Sequence, residues 1–217
     1  NPIYKKKLEE MALKAIKEEK LTWHDEVVAY LPISRSTYYN KELDKLDTIK
    51  DAIAEKHSLA EKMTFNQRMF NGELSDEEYT LYLCQQLAIF DAIEIHELPH
   101  PALDRAGKVF EDIKELTGEG QIQITPLVAT NEYRKYLNTL TKEEQLPHVY
   151  LNYLAIMFGG QMMKSKVPGK GRMYDFDNVP ELVARIRSVQ KDEWADEVNK
   201  GFQYIINILD ELQTYSK

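Results

Sequence analysis

Cysteine is the scarcest chemistry-bearing residue in this chain. Cys84 is alone among 217 residues, so no intrachain disulfide can form and a reducing compartment is expected. No apolar run approaches the roughly 18–20 residues that a membrane-crossing helix needs. The stretch NPIYKKKLEEMALKAIKEEK at 1–20 has lysines but no apolar segment, which argues against a signal peptide and for a cytoplasmic protein. Excess positive charge is missing too, since the net charge is −8. Residues 1–50 carry 10 Lys and Arg against 9 Asp and Glu, whereas residues 51–217 carry 18 against 27. An acidic body is a poor general binder of nucleic acid, so DNA contact is left to the near-neutral first segment. Strand patterning is almost absent. With 43% hydrophobic and 29% charged residues, the chain has the composition of a soluble globular protein with one good-sized core.

Apolar residues recur with the 3.6-residue period of helices nearly throughout, so the fold class is all-α. Helices are expected at KKLEEMALKAIKEE, WHDEVVAYL and SRSTYYNKEL, the last with Ser34 as N-cap, and then over about 46–63. Ser75 and Glu78 form a capping box that launches a helix running to Glu97, before Pro99. Further helices are expected at about 101–117 and 126–140. A second capping box, Thr141 with Glu144, precedes a helix over 145–165. Helices at 179–190 and 192–215 follow a Gly- and Lys-rich loop, VPGKGRMYDFDN. A boundary near residue 46 divides the chain into a 1–45 extension and a 46–217 helical domain.

The segment LTWHDEVVAYLPISRSTYYNK has the cadence of a helix-turn-helix. Its second helix would begin with Ser34, Arg35, Ser36 and Thr37, which suit phosphates or base edges in a major groove. The segment resembles small helix-turn-helix proteins of phages. The plainer reading is a helical arm packed on the main domain or on a second copy.

Two features carry chemistry. His57 lies in KDAIAEKHSLAEKM, with Glu61 one turn later. A carboxylate at i+4 can hold the Nδ1 proton and leave Nε2 for a metal. One histidine cannot hold a bare ion, but it can hold a haem iron, because the porphyrin supplies four ligands. The second feature is YLNYLAIMFGGQMM at 150–163, a helical stretch interrupted by Gly159 and Gly160. Each glycine costs about 1 kcal/mol in a helix interior. Missing side chains let a helix approach a flat ligand and let it bend.

The residues KDAIAEKHSLAE, FNGELSDEEYTLYLCQQLAIFDAIE and HVYLNYLAIMFGGQMMKSKV together resemble haem oxygenase. The tail from GGQMMKSKVPGKGRMYDF onward looks most like the compact haem oxygenases of marine phages, and VPELVARIR is similar to plant enzymes. The resemblance spans about 48–215 and implies a haem-oxygenase-like helical bundle. It implies oxidative cleavage of haem, both substrate and cofactor, to biliverdin, carbon monoxide and ferrous iron. O2 and electrons from a ferredoxin or another reductase would be consumed, in the host cytoplasm if the protein is phage-encoded. By position His57 matches the proximal ligand and Glu61 its neighbour. Gly159 and Gly160 match the distal glycines, and Gln161 follows them. Lys50, Tyr150, Arg187 and Arg185 match groups at the propionate edge, as two propionates call for cations. Met157, Phe158 and Met162 are candidates for the haem face.

The pattern breaks where many haem oxygenases have Gly-Asp, since Ala155 and Ile156 stand there. Asn152 stands where an arginine is common. A proton route without the aspartate would fall to Asn152, Tyr153, Gln161 or His148. Two other readings therefore stay open: a haem-binding protein with lost or altered activity, and a DNA-binding regulator acting through 1–45. A di-iron site is disfavoured because Pro99 separates Glu97 from His100. Cys84, in LYLCQQL, reads as a buried structural thiol rather than a nucleophile. The loop KSKVPGKGR could receive an acidic electron donor. Oligomeric state is open.

Overall fold

The computed structural model describes residues 44–118 and 125–215. The expected helices within 1–43, and with them the helix-turn-helix reading, lie outside the described residues. By its contacts the chain divides into two units, Asn1–Ala52 and Ile53–Lys217. The packing given below is that of the second unit. Every regular element among the described residues is helical.

Helix α1, Asp44–Lys62, begins in the first unit and runs into the second. After a bend at Met63 comes α2, Thr64–Asn71, which ends at Gly72. The φ of 74° there is one that glycine adopts without strain. Helix α3, Asp76–Ile93, starts at the expected Ser75–Glu78 capping box. Glu78 also accepts two bonds from the Arg68 guanidinium, at 2.7 and 2.9 Å, which ties α2 to the start of α3. Tyr79, Leu83, Ile89, Phe90 and Ile93 of α3 are all buried, so this helix is the centre of the core. Helices α4 (Ala106–Thr117), α5 (Val128–Leu137), α6 (Lys142–Met163) and α8 (Ala195–Tyr215) surround it, and α7 (Val179–Val189) packs on α6. No helix among the described residues is long and apolar enough to cross a membrane.

The structure shortens two expected helices for one local reason. Helix α3 stops at Ile93 rather than Glu97, and the stretch expected as one helix from 101 is a single turn, Pro101–Leu103, followed by α4 from Ala106. Glu94 is the cause. Its carboxylate accepts the backbone N–H groups of Arg105, at 2.7 Å, and Ala106, at 3.1 Å, and so caps the start of α4. Pro99 and Pro101 keep the residues before them from rejoining a helix. Helix α6 begins at Lys142, directly after its Thr141–Glu144 capping box. The expected loop before α7 contains a short turn, Arg172–Tyr174, preceded by the positive-φ residues Gly169 and Gly171.

Candidate functional site

Helix α6 has two unlike halves. In its first half, after the exposed first turn, His148, Asn152 and Tyr153 turn inward and find partners. His148 is fully buried; its Nδ1 lies 2.8 Å from the Tyr133 hydroxyl and its Nε2 3.0 Å from Glu197 Oε1. Asn152 donates to the Tyr133 hydroxyl at 3.1 Å and to the His148 carbonyl at 2.8 Å. Tyr153 donates to Glu94 Oε1 at 2.7 Å. Burial pushes the Glu94 carboxyl up to about 7, against the lowering effect of the Tyr153 and backbone hydrogen bonds. Burial also lowers the His148 pKa, only partly offset by Glu197, which favours the neutral imidazole.

The second half is apolar and partly open. Phe158 is 46% and Met162 53% exposed, and Ala155 is exposed on the same side. The two glycines differ sharply. A Cβ built on Gly159 would meet nothing within 4 Å, so this position borders open space. A Cβ on Gly160 would lie 2.2 Å from Cδ1 of Tyr174, a buried ring, so this position is a close helix-to-loop contact. Gln161 secures the same contact by donating to the Tyr174 carbonyl at 3.0 Å. Ile156 is buried within the core rather than standing on the open side. Met157 is likewise core.

On α1, His57 Nδ1 lies 3.6 Å from Glu61 Oε2, with the two side chains 55% and 63% exposed. The pair holds the ring with Nδ1 toward the carboxylate, leaving Nε2 on the far side. The His57 ring stands edge-on to Phe202 of α8 at 5.8 Å, and the neighbouring Lys56 donates to Gln203 at 2.6 Å. Lys50 is exposed earlier on α1, in the unit that ends at Ala52. Tyr150 packs edge-on against Trp194 at 6.5 Å. Burial raises its pKa, and Arg187 is close enough to draw it back. Arg185 and Arg187 are both exposed on α7.

Other sequence features take structural places. Glu97 pairs with Lys142 at 2.7 Å, while His100 accepts from the Ala102 N–H, so the two do not share a site. Cys84 is buried, which raises its thiol pKa. In the lysine-rich loop, Lys164 pairs with Asp175, and Arg172 is held by Asp112 and Glu115 of α4. Lys166 and Lys170 remain exposed. Sequence reasoning missed Tyr133, Tyr136, Glu197, Tyr204, Glu94 and Tyr174. The only hint was periodic: Glu197, Lys200, Gly201 and Tyr204 recur at the spacing of one helix face. That α5 would lie opposite them is a tertiary fact.

The described residues form an all-helical bundle with an exposed histidine on one helix and an apolar, glycine-containing face on another. Residues 43–204 match the model of the family described as "Heme oxygenase", and the chain belongs to that family. Among solved structures, it is similar to heme oxygenase-1 of the cyanobacterium Synechocystis in complex with heme. The TM-score is 0.70 at 18% identity, covering 78% of this chain and 92% of that one. It is also similar to the heme oxygenase of Leptospira interrogans (TM-score 0.66, 21% identity, 75% and 97% covered). A third is heme oxygenase-2 of Synechocystis with heme and NO (TM-score 0.68, 20% identity, 78% and 85% covered). At these identities the likeness establishes the fold. A search of curated proteins gives no match.

Proposed function

We propose that the chain is a haem oxygenase that binds haem between the His57 face of α1 and the Gly159 face of α6, and opens the ring to biliverdin, carbon monoxide and ferrous iron. The observation that carries this reading is Gly159. It is a helical glycine with open space where its side chain would be, flanked by the exposed Phe158 and Met162, in a chain of the haem oxygenase family. Exposed apolar side chains in such a cluster call for a ligand. The relatives solved with heme support the same choice.

The residues fit the group chemically. His57 Nε2 is the iron ligand, and Glu61 orients the imidazole. Phe158 and Met162 give the ring apolar contact. Arg187 and Tyr150, with Arg185, meet the propionates. Bound haem supplies the iron at which O2 is reduced, with electrons from a ferredoxin-type donor that docks beside the exposed Lys166 and Lys170. Gly160, Gln161 and Tyr153 are positioning residues: their contacts are with Tyr174 and Glu94, and they fix the helix behind Gly159.

Residues 152–163 contain no carboxylate, and Ile156 is core. Proton supply would then fall to water held by backbone groups beside Gly159. The same observation favours a second reading, a haem binder with weak turnover.

One absorbance experiment separates them. Hemin added to the full chain is expected to give a Soret band that shifts in His57→Ala. With reductant, air and catalase, the band should decay as biliverdin appears. A stable band leaves the haem-binding reading alone. An unchanged Soret band and axial ligation in His57→Ala would refute the ligand assignment.

A further inference from the structure

The buried network at His148 is more than a satisfied core histidine. Three tyrosines stack beside it. The rings of Tyr133 and Tyr204 lie 4.8 Å apart and 12° from parallel, and those of Tyr136 and Tyr204 lie 5.6 Å apart at 23°. The stack runs from Tyr133, fully buried, to Tyr136, part-exposed and covered by the Lys200 ammonium 3.6 Å above its ring. Each end has its own proton acceptor. Tyr133 reaches His148 Nδ1 at 2.8 Å, and Tyr136 donates to Glu197 Oε1. One polarity satisfies the whole chain: Asn152 donates to Tyr133, Tyr133 to His148, and His148 Nε2–H to Glu197. Space was kept for this packing, since a Cβ on Gly201 would lie 3.1 Å from His148 Nδ1 and 2.6 Å from Leu151.

We propose that Tyr133, Tyr204 and Tyr136 form a redox relay that shares an oxidising equivalent between the core and the edge of the domain, with His148 and Glu197 receiving the phenol protons. Phenols give up an electron readily only when the proton has somewhere to go, and the stack places an acceptor at both ends. Tyr133 loses one electron, and its O–H proton passes to His148 Nδ1, leaving a neutral phenoxyl radical beside an imidazolium held by Glu197. Tyr204 then returns an electron to Tyr133, which retakes its proton from His148, while the Tyr204 proton leaves to water. Tyr136 reduces Tyr204 in turn, water reprotonates Tyr204, and the Tyr136 proton goes to Glu197. An ascorbate-type reductant in solution restores Tyr136 with one electron; Tyr136 retakes its proton from Glu197, and the proton of the reductant leaves to water. The oxidant is hydrogen peroxide reduced at bound haem, which takes two electrons and two protons to give two waters, so two passages clear one peroxide. That source rests on the haem-binding reading; the relay itself does not.

The decisive variant is Tyr204→Phe. It keeps a ring in the stack and leaves the hydrogen bonds at His148 and Glu197 in place, but phenylalanine cannot carry the middle hop. In one arm, haem-loaded full chain is mixed with peroxide and freeze-quenched for electron paramagnetic resonance. In a second, haem-free chain is oxidised by azidyl radical in pulse radiolysis. Wild type is expected to give a tyrosyl signal that ascorbate quenches rapidly. Tyr204→Phe should quench several-fold more slowly after peroxide, with faster haem bleaching, because the radical is trapped inside. In the haem-free arm it should lose the long-lived tyrosyl fraction, because the hole cannot reach Tyr133. Tyr136→Phe should behave like Tyr204→Phe in the first arm, and Tyr215→Phe, outside the stack, should match wild type. Quenching and lifetimes that are the same in wild type, Tyr204→Phe and Tyr136→Phe would overturn the relay. Failure to bind hemin would sink the haem reading while the azidyl arm still decides the relay.

Discussion

The two halves of α6 are one continuous helix with opposite habits. From Gln145 to Tyr153 each buried polar side chain has a partner: the Gln145 amide nitrogen donates to the carbonyls of Ala92 and Leu137, His148 meets Tyr133 and Glu197, Asn152 meets Tyr133, and Tyr153 donates to Glu94. From Ala155 to Met162 the helix shows no polar side chain until Gln161, leaves Phe158 and Met162 exposed, and carries two glycines. Stability alone would not build the second half this way, because exposed apolar area and helical glycine both work against it. The first half fixes where the helix lies, and the second half is what that fixing presents. The glycines repeat the contrast at the scale of one residue: Gly160 belongs to the closed region and Gly159 to the open one.

The largest effect should come from destroying that difference. Gly160→Leu drives a side chain into the buried Tyr174 ring, whose Cδ1 is already 2.2 Å from the Cβ position. A loss of about 3 kcal/mol or more is expected, at the upper end for overpacking. A thermal midpoint within a degree of wild type would show that the ring can move aside.

A smaller effect should mark the closed half alone. Burial raises the Glu94 carboxyl from 4.5 to about 7 in the folded chain. A raised acid binds more protons folded than unfolded, so its contribution is present below the unfolded value. It is lost as pH climbs through about 7. Between pH 5 and pH 8 this should remove about 1–2 kcal/mol. Chemical-denaturation midpoints should flatten across that window in Glu94→Gln, and an equal slope in both proteins would assign the pH dependence elsewhere.

Local signals were readable where one stretch of chain decides the outcome. Both capping boxes formed at Ser75 and Thr141, and His57 stands one helical turn from Glu61. The resemblance of the KHSLAE and FGGQ stretches pointed to the family that residues 43–204 match. What escaped was settled by partners distant in sequence. Glu94 ends α3 because it caps a helix that begins twelve positions later. The role of Gly160 could not be separated from that of Gly159, because Tyr174 returns to it only after a loop. His148 was readable as a polar residue on α6, but its partner Glu197 is 49 residues away. Periodicity sees one helix at a time, and these contacts belong to pairs.

The smallest expected effect is also the one that tests the comparison most directly. Gly159→Ala adds a methyl group to a position where nothing lies within 4 Å. In a helix interior, alanine for glycine gains about 0.5–1 kcal/mol, chiefly by reducing the backbone entropy lost on folding. Gly159→Ala should therefore raise the denaturation midpoint slightly, opposite in sign to any substitution at Gly160. Hemin affinity should move the other way, because the added methyl enters the space the ligand is proposed to fill. A gain in stability together with a loss in hemin uptake would mean that this glycine is held for the ligand against the preference of the helix. A gain in stability with unchanged uptake would move the ligand face away from Gly159. A loss of stability would mean that the open half of α6 is packed more tightly than its surface suggests, and the contrast between the two glycines would fall.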